Sequence, residues 1–326
     1  MTDKKRKYLY GPVPSRRLGR SYGVDIVPFK VCTLDCVYCQ LGKTITKTTE
    51  RKDYVPIDLV LAELSEALSE NVEADYITIA GSGEPTLHAQ LGRLISDIKE
   101  ITHIPIALLT NGTLLYRPDV RADCAKADVV MPSLDAGDER TFQRINRPHR
   151  DINAKNAIFG LCEFRKEYSG QIWLEIFFIE TLNTGEQQIT RLKDAIGRIR
   201  PDKIHLNTAV RPTAEPHIKR LGAEQLQAIA SRLGTHCEVI ADFSRDRVET
   251  SASSGLKVTF SPHPIPASKT AALLSMLKRR PCSLNDICAG LGMTHNEALK
   301  HITDLQQRKL IHTERKGGNV FFKSSS

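Results

Sequence analysis

The 326-residue chain has no apolar run approaching the roughly twenty residues that a membrane-spanning helix needs, so no membrane partner is expected. Its start, Met1-Thr2-Asp3-Lys4-Lys5-Arg6-Lys7, is basic, but no apolar stretch of signal-peptide type follows. Nor is there a disulfide framework: of eight cysteines, three are clustered and five scattered. Cys282 and Cys288 lack a standard metal spacing, and Cys124, Cys162 and Cys237 do not assemble into a second cluster. These absences together point to a reduced, cytoplasmic setting.

What the chain does have is Val31-Cys32-Thr33-Leu34-Asp35-Cys36-Val37-Tyr38-Cys39-Gln40, three cysteines within eight residues. A loop this tight can turn three thiolates toward one point. A lone zinc ion wants four ligands, usually from paired C-x-x-C units, and no fourth cysteine or histidine lies nearby. A 4Fe–4S cluster also normally takes four cysteines, so three would leave one iron open for a further ligand.

The spacing C-x-x-x-C-x-aromatic-C, with Tyr38 as the aromatic, resembles the signature of radical S-adenosylmethionine (radical SAM) enzymes. The resemblance implies that Cys32, Cys36 and Cys39 hold a 4Fe–4S cluster whose open iron chelates S-adenosylmethionine. It implies too that an external one-electron donor, flavodoxin- or ferredoxin-like, reduces the cluster, and that a 5′-deoxyadenosyl radical is released. Upstream, Gly11-Pro12-Val13-Pro14-Ser15-Arg16-Arg17-Leu18-Gly19 resembles a segment of a subgroup that includes relatives of archaeal 4-demethylwyosine synthase, a tRNA-modifying enzyme. Read from its residues alone, that stretch is a loop, since two prolines and two glycines oppose a regular element, and its arginines suit phosphate or carboxylate.

Six short, nearly continuous apolar runs read as core strands of a parallel sheet: 23–28, 76–80, 105–110, 128–134, 172–179 and 203–210. Helical patterns separate them at 57–70, 88–100, 118–126, 152–168 and 185–199, and 222–233 leads to one more run, 236–243. Alternation of this kind means right-handed crossovers and a parallel α/β sheet, open or rolled; the resemblance selects a partial (β/α)6 barrel.

Chemistry in such folds gathers at the C-terminal ends of the strands. Strand two ends in Gly81-Ser82-Gly83-Glu84, where small residues permit close backbone approach and Glu84 could meet an ammonium group. This place resembles the family's G-G-E motif, with Ser82 in the middle position. Strand three ends in Asn111-Gly112, ordinary turn chemistry, and strand four in Ser133-Leu134-Asp135, a hydroxyl and a carboxylate on one side suited to a ribose. The resemblance puts both in the cofactor pocket, with Asn146 and Arg147 as lesser candidates. Glu175 is one acid among bulky apolar residues, either a pocket residue or a buried ion-pair partner. Asn207, Arg211 and Glu215 resemble the subgroup's N-T-x-x-R-P-x-A-E segment and are candidates for cofactor or substrate contact, while His205 reads as a core histidine.

Composition divides the chain into a core at 1–245, a Ser- and Pro-rich linker at 246–266 and a small domain at 267–326. The last has helical patterns at 267–278, after Ser283 and after Thr294, then a basic hairpin around Gly317-Gly318. This order resembles a winged helix-turn-helix, with His295, Asn296, Lys300 and His301 on the recognition helix and Arg315 and Lys316 at the wing tip. Residues 1–20 and 262–326 each carry a net +6 on a chain of +8, leaving a middle of −4. Basic ends on an acidic body suit RNA or DNA.

The expectation is therefore a radical SAM enzyme whose substrate is RNA or, alternatively, a peptide, a protein or a small metabolite. A different class, a non-enzymatic iron–sulfur regulator of DNA binding, also uses the cysteines, but it has no need of the strand-end residues.

Overall fold

The structure, a computed structural model, describes residues 6–70, 73–243, 267–316 and 318–325. The expected linker, the first five residues and Gly317 of the expected hairpin turn lie outside the described residues.

The chain opens with a hairpin, β1 (Leu9–Ser15) and β2 (Gly19–Val24), paired antiparallel. This corrects two expectations: the proline-rich stretch is a strand, and the first parallel strand ends at Val24 rather than running from 23 to 28. The reason is position. β1 is the edge of the sheet, where Pro12 and Pro14 remove no central ladder bond. Its register shifts between Tyr10 and Val13, and Gly11 there has φ +101°.

Two short strands, β3 (Val31–Cys32) and β4 (Thr46–Lys47), bracket the cysteine loop. The alternation then follows as α1 (Ile57–Ser69), β5 (Tyr76–Ile79), a 3₁₀ turn (Pro85–Leu87), α2 (Leu91–Ile101), β6 (Ile106–Thr110), α3 (Pro118–Cys124) and β7 (Val129–Pro132). After these come α4 (Glu139–Asn146), α5 (Ala154–Glu167), β8 (Gln171–Phe178), α6 (Glu186–Ile199), β9 (Lys203–Thr208), α7 (Ala223–Leu233) and β10 (Cys237–Val239). Helix α2 starts at Leu91, later than expected, because His88, which ends the 3₁₀ turn, is extended at ψ 124°. Helix α4 was not expected: its polar sequence hides a stripe of Phe142 and Ile145, and the Asp138 carboxylate caps it by accepting from the Thr141 N–H at 3.1 Å.

The sheet order is β1-β2-β5-β6-β7-β8-β9-β10, parallel throughout except for β1 against β2. Its backbone is open, with β1 and β10 as its two edges. Side chains from the β1–β2 turn cross the gap: Arg16 donates to the Ile240 carbonyl, Arg17 pairs with Glu175 on β8, and Leu18 packs against Ala107, Val129, Met131 and Trp173. The helices bury apolar stripes against the sheet; in α1 these are Ile57, Val60, Leu64 and Ala67.

The C-terminal segment forms α8 (Ala267–Arg279), α9 (Leu284–Leu291), α10 (His295–Gln307) and an antiparallel pair, β11 (Ile311–Lys316) with β12 (Asn319–Ser324). Ser283 and Asp286 cap α9 reciprocally, and Gly292 ends it at φ +58°. These elements share a core that includes Leu273, Leu277, Ile287, Ile302 and Phe322. They meet the sheet near both of its edges: Arg279 lies 4.2 Å over the Tyr10 ring and 3.7 Å from Asp25, Asp286 pairs with Arg211 at 3.2 Å, and Lys316 donates to Thr213 at 3.0 Å. Two residues expected to face a partner are therefore engaged internally. His301 is buried against Thr270, and Lys316 is turned onto the core.

Candidate functional site

The cysteine loop leaves the end of β2 and is pinned to the loop around α4 by backbone bonds, Val37 N–H to Ile145 O at 2.9 Å and Asp35 N–H to Asn146 O at 3.0 Å. The Tyr38 ring stacks on Phe177 with centroids 4.0 Å apart, and its hydroxyl donates to the Asp135 carboxylate at 2.5 Å. Burial, then the nearby carboxylate of Glu84, pushes the Cys32 thiol up to about 12; burial and Asp135 push Cys36 well above its ordinary value. Such thiols become thiolates when a metal displaces the proton. Among the described residues no three His, Cys, Asp or Glu side chains surround a single-ion position.

The Gly81-Ser82-Gly83-Glu84 turn lies directly against this loop. A Cβ on Gly83 would stand 2.0 Å from the Val31 carbonyl oxygen, and one on Gly81, at φ +134°, 2.5 Å from the Asp25 carboxyl carbon. Both glycines are thus accounted for by close packing of the two loops. Ser82 donates its hydroxyl and, at 3.2 Å, its N–H to Asp25, and its carbonyl accepts from Lys30 N–H at 2.7 Å. Glu84 is buried and accepts from Thr86 (N–H 3.1 Å, hydroxyl 2.5 Å), the Thr110 hydroxyl at 2.6 Å and Asn111 N–H at 2.7 Å. Burial raises its pKa against these donors.

Asn111 joins the turn to the cysteines: its Nδ2 donates to Thr33 Oγ1 at 2.7 Å and lies 3.6 Å from Cys32 Sγ. Asp135 is the next hub, accepting from Tyr38, from Asn146 Nδ2 at 2.7 Å and from Phe177 N–H at 2.8 Å. Burial holds its pKa up at about 6 despite these bonds. Asn111, Ser133, Asp135 and Asn146 line a small pocket together with Leu34 and Phe142. Asn146 Oδ1 is buried there with no protein partner, an acceptor without a donor.

Glu175 is half-buried, accepting from Arg17 at 2.5 Å and from Asn207 Nδ2 at 2.9 Å. Burial would raise its pKa, but Arg17 and Asn207 outweigh burial and lower it. It is thus an ion-pair partner in this structure, and Asn207 belongs to that pair. Arg211 points to Asp286, and Glu215 pairs with Arg147 at 2.6 Å. His205 is buried, with its pKa lowered to about 4 by burial and by Arg17. So Tyr38, Ser82, Glu84, Asn111, Ser133, Asp135 and Asn146 gather near the cysteines, while Glu175, Asn207 and Arg211 are engaged elsewhere. Sequence reasoning missed Asp25, Thr33 and Lys30. Asp25, an acid in an apolar run just before the cysteines, carried the same signal as Glu175; Thr33 and Lys30 carried none.

An open parallel α/β sheet with a three-cysteine loop after its first parallel strand defines a class of fold and site. Residues 26–195 match the radical SAM superfamily domain. A UPF0026 protein of Methanocaldococcus jannaschii is 36% identical over 233 residues, covering 71% of each chain. A Brachyspira hyodysenteriae protein named GTPase Obg is 41% identical over 238 residues, 73% of this chain, which spans only 35% of that relative's length. Among solved structures, TYW1 with a lysine-pyruvate adduct bound has a similar fold, with a TM-score of 0.50 at 20% identity over 66% of this chain and 72% of that one. The chain belongs to the radical SAM superfamily.

Membership implies a 4Fe–4S cluster and S-adenosylmethionine. The residues present fit both groups. Three half-buried cysteines of one loop supply the donors, and the orphan Asn146 acceptor beside them suits an N–H or O–H of a bound cofactor. Among the described residues no helix is long and apolar enough to cross a membrane.

Proposed function

We propose that the protein is a radical SAM enzyme that reductively cleaves S-adenosylmethionine and abstracts hydrogen from an RNA substrate. The observation that carries the cleavage step is the continuous bonding of the cysteine loop, through Thr33 and Asn111, to Glu84 and the pocket beside Asp135. When bound, the cluster and S-adenosylmethionine supply a 5′-deoxyadenosyl radical. The chain's part is to hold, orient and exclude water. Cys32, Cys36 and Cys39 hold the metal. Asn146 Oδ1, with Ser133 and Asp135, accepts hydrogen bonds from the cofactor, and the Glu84 turn presents backbone close to the cysteines. Burial of Glu84, Asp135 and Asn146 keeps water from a reactive species, and fixed geometry supplies proximity.

RNA is favoured over a peptide or metabolite by the basic ends and the net charge of +8. An external one-electron donor and a cytoplasmic setting complete the reading. Two measurements test it. Anaerobic, dithionite-reduced protein should yield 5′-deoxyadenosine, and Cys36→Ala should lose both iron and product; no product from cluster-replete protein would favour the regulator instead. Crosslinking to cellular RNA should fall in a Lys300→Glu/Arg315→Glu variant, since both side chains are exposed. Unchanged recovery would remove the C-terminal segment from RNA contact.

A further inference from the structure

Lys30 is a buried cation that the reading above leaves without a task. It is 4% exposed, and its ammonium has one hydrogen bond, from Nζ to Cys39 Sγ at 3.1 Å. A buried ammonium is costly unless an opposite charge faces it. In this chain the backbone holds it in place. Lys30 has φ +60°, its N–H donates to Ser82 O at 2.7 Å, and its carbonyl accepts from Ile45 N–H and Thr46 N–H, both at 3.1 Å. The position is clamped on both sides with the side chain delivered to a cysteine sulfur. The other two sulfurs face neutral amides, Asn111 Nδ2 at 3.6 Å from Cys32 and Asn146 Nδ2 at 3.4 Å from Cys36. Each sulfur thus has a side-chain nitrogen donor, from three different parts of the fold; Cys32 also accepts from the Leu34 backbone N–H, and only the Cys39 donor is a lysine.

We infer that Lys30 is the counter-charge of the cluster: its ammonium hydrogen-bonds the Cys39 thiolate and raises the cluster's reduction potential. Three thiolates make the ligated cluster a net anion, and reduction by one electron from the external donor adds a further negative charge without breaking a bond. A fixed cation in a low-dielectric site stabilises the reduced form more than the oxidised one. Hydrogen bonds to cluster sulfurs act in the same direction. The inference rests on the proposal that the three cysteines hold a cluster.

The test is a redox titration of the anaerobically reconstituted full chain, followed by the electron paramagnetic resonance signal of the reduced cluster, without S-adenosylmethionine and with iron content measured. Lys30→Met should lower the one-electron reduction equilibrium at least tenfold, a fall of about 59 mV or more. Lys30→Gln, which keeps an N–H donor without charge, should fall with it, and Lys30→Arg should stay near wild type. A smaller shift in an iron-replete methionine variant overturns the inference. So does a glutamine variant at wild-type potential, which would assign the effect to the hydrogen bond alone, or an equal fall in the arginine variant. If Lys30→Met and Lys30→Gln do not retain iron, retention by Lys30→Arg supports the counter-charge, and loss from all three overturns it. Failure of the cluster reading is separate: Cys36→Ala would then keep wild-type iron, whereas an intact cluster with an unmoved potential defeats only the role of Lys30.

Discussion

Two glutamates, the buried Glu84 beyond β5 and the half-buried Glu175 within β8, are held in opposite ways. Glu84 is surrounded by neutral donors, two hydroxyls and two backbone N–H groups, and burial raises its pKa. Glu175 has a guanidinium at 2.5 Å, and its pKa is lowered. The difference separates two sides of the strand-end region. Around Glu84 and Asp135 the carboxylates are met by neutral donors, and capacity is left unmet, as at Asn146 Oδ1. Around Glu175 the charge is neutralised within the chain by Arg17, as a structural plug would be. A positively charged ligand group gains more beside a carboxylate that no internal cation has satisfied.

The comparison breaks most visibly at Glu84. Glu84→Ala leaves the Thr110 hydroxyl and the Thr86 and Asn111 N–H groups buried without acceptors. Each such group costs about 1–3 kcal/mol, so a loss of about 3 kcal/mol or more is expected in chemical denaturation. Glu84→Gln should fall between, because one orientation of the amide sets an NH2 against the Asn111 N–H. A loss under about 1 kcal/mol in the alanine variant would mean that the turn is held by something other than the carboxylate. On the other side, Arg17→Ala should cost about 2–3 kcal/mol, because it strands Glu175 with Asn207 alone. Adding Glu175→Gln should recover part of that loss, since the double variant buries no charge. If Arg17→Ala/Glu175→Gln is no more stable than Arg17→Ala, the ionic description of this side is wrong.

How much of this was legible beforehand follows the same division. Apolar runs and strand ends show in the sequence because burial and backbone turns select residue types locally. The positions of β5 to β9, Glu84, Asn111 and Asp135 were visible in that way. What stayed hidden depends on partners distant in sequence. Prolines mark β1 as irregular until its place at the sheet edge is known. Glu175 read equally as a pocket residue or an ion-pair partner, because Arg17 lies 158 positions away. Asn207 and Arg211 follow a motif, yet their partners, Glu175 and Asp286, are set by packing. Lys30 precedes the cysteines like any surface lysine, and only its burial and the sulfur at 3.1 Å distinguish it.

Asp25 offers the finest test, since it stands between the two cases. Ser82 gives it neutral donors like those of Glu84, and Arg279, at the longer distance of 3.7 Å, gives it a cation as for Glu175. Its pKa is raised, so burial outweighs both Ser82 and the arginine. The folded chain therefore holds a proton on Asp25 more readily than the unfolded chain, and ionised Asp25 opposes folding once the pH exceeds the ordinary carboxylate range. Arg279→Met keeps contact with the Tyr10 ring but removes the cation that offsets this opposition. The variant should be less stable than wild type by about 1 kcal/mol at pH 7, and the gap should narrow as the pH falls toward 4 and Asp25 takes up its proton in both proteins. Paired urea denaturation curves at the two pH values read the gap directly. A gap that is the same at both would show that Arg279 acts through its packing on Tyr10, and Asp25 would then belong with Glu84.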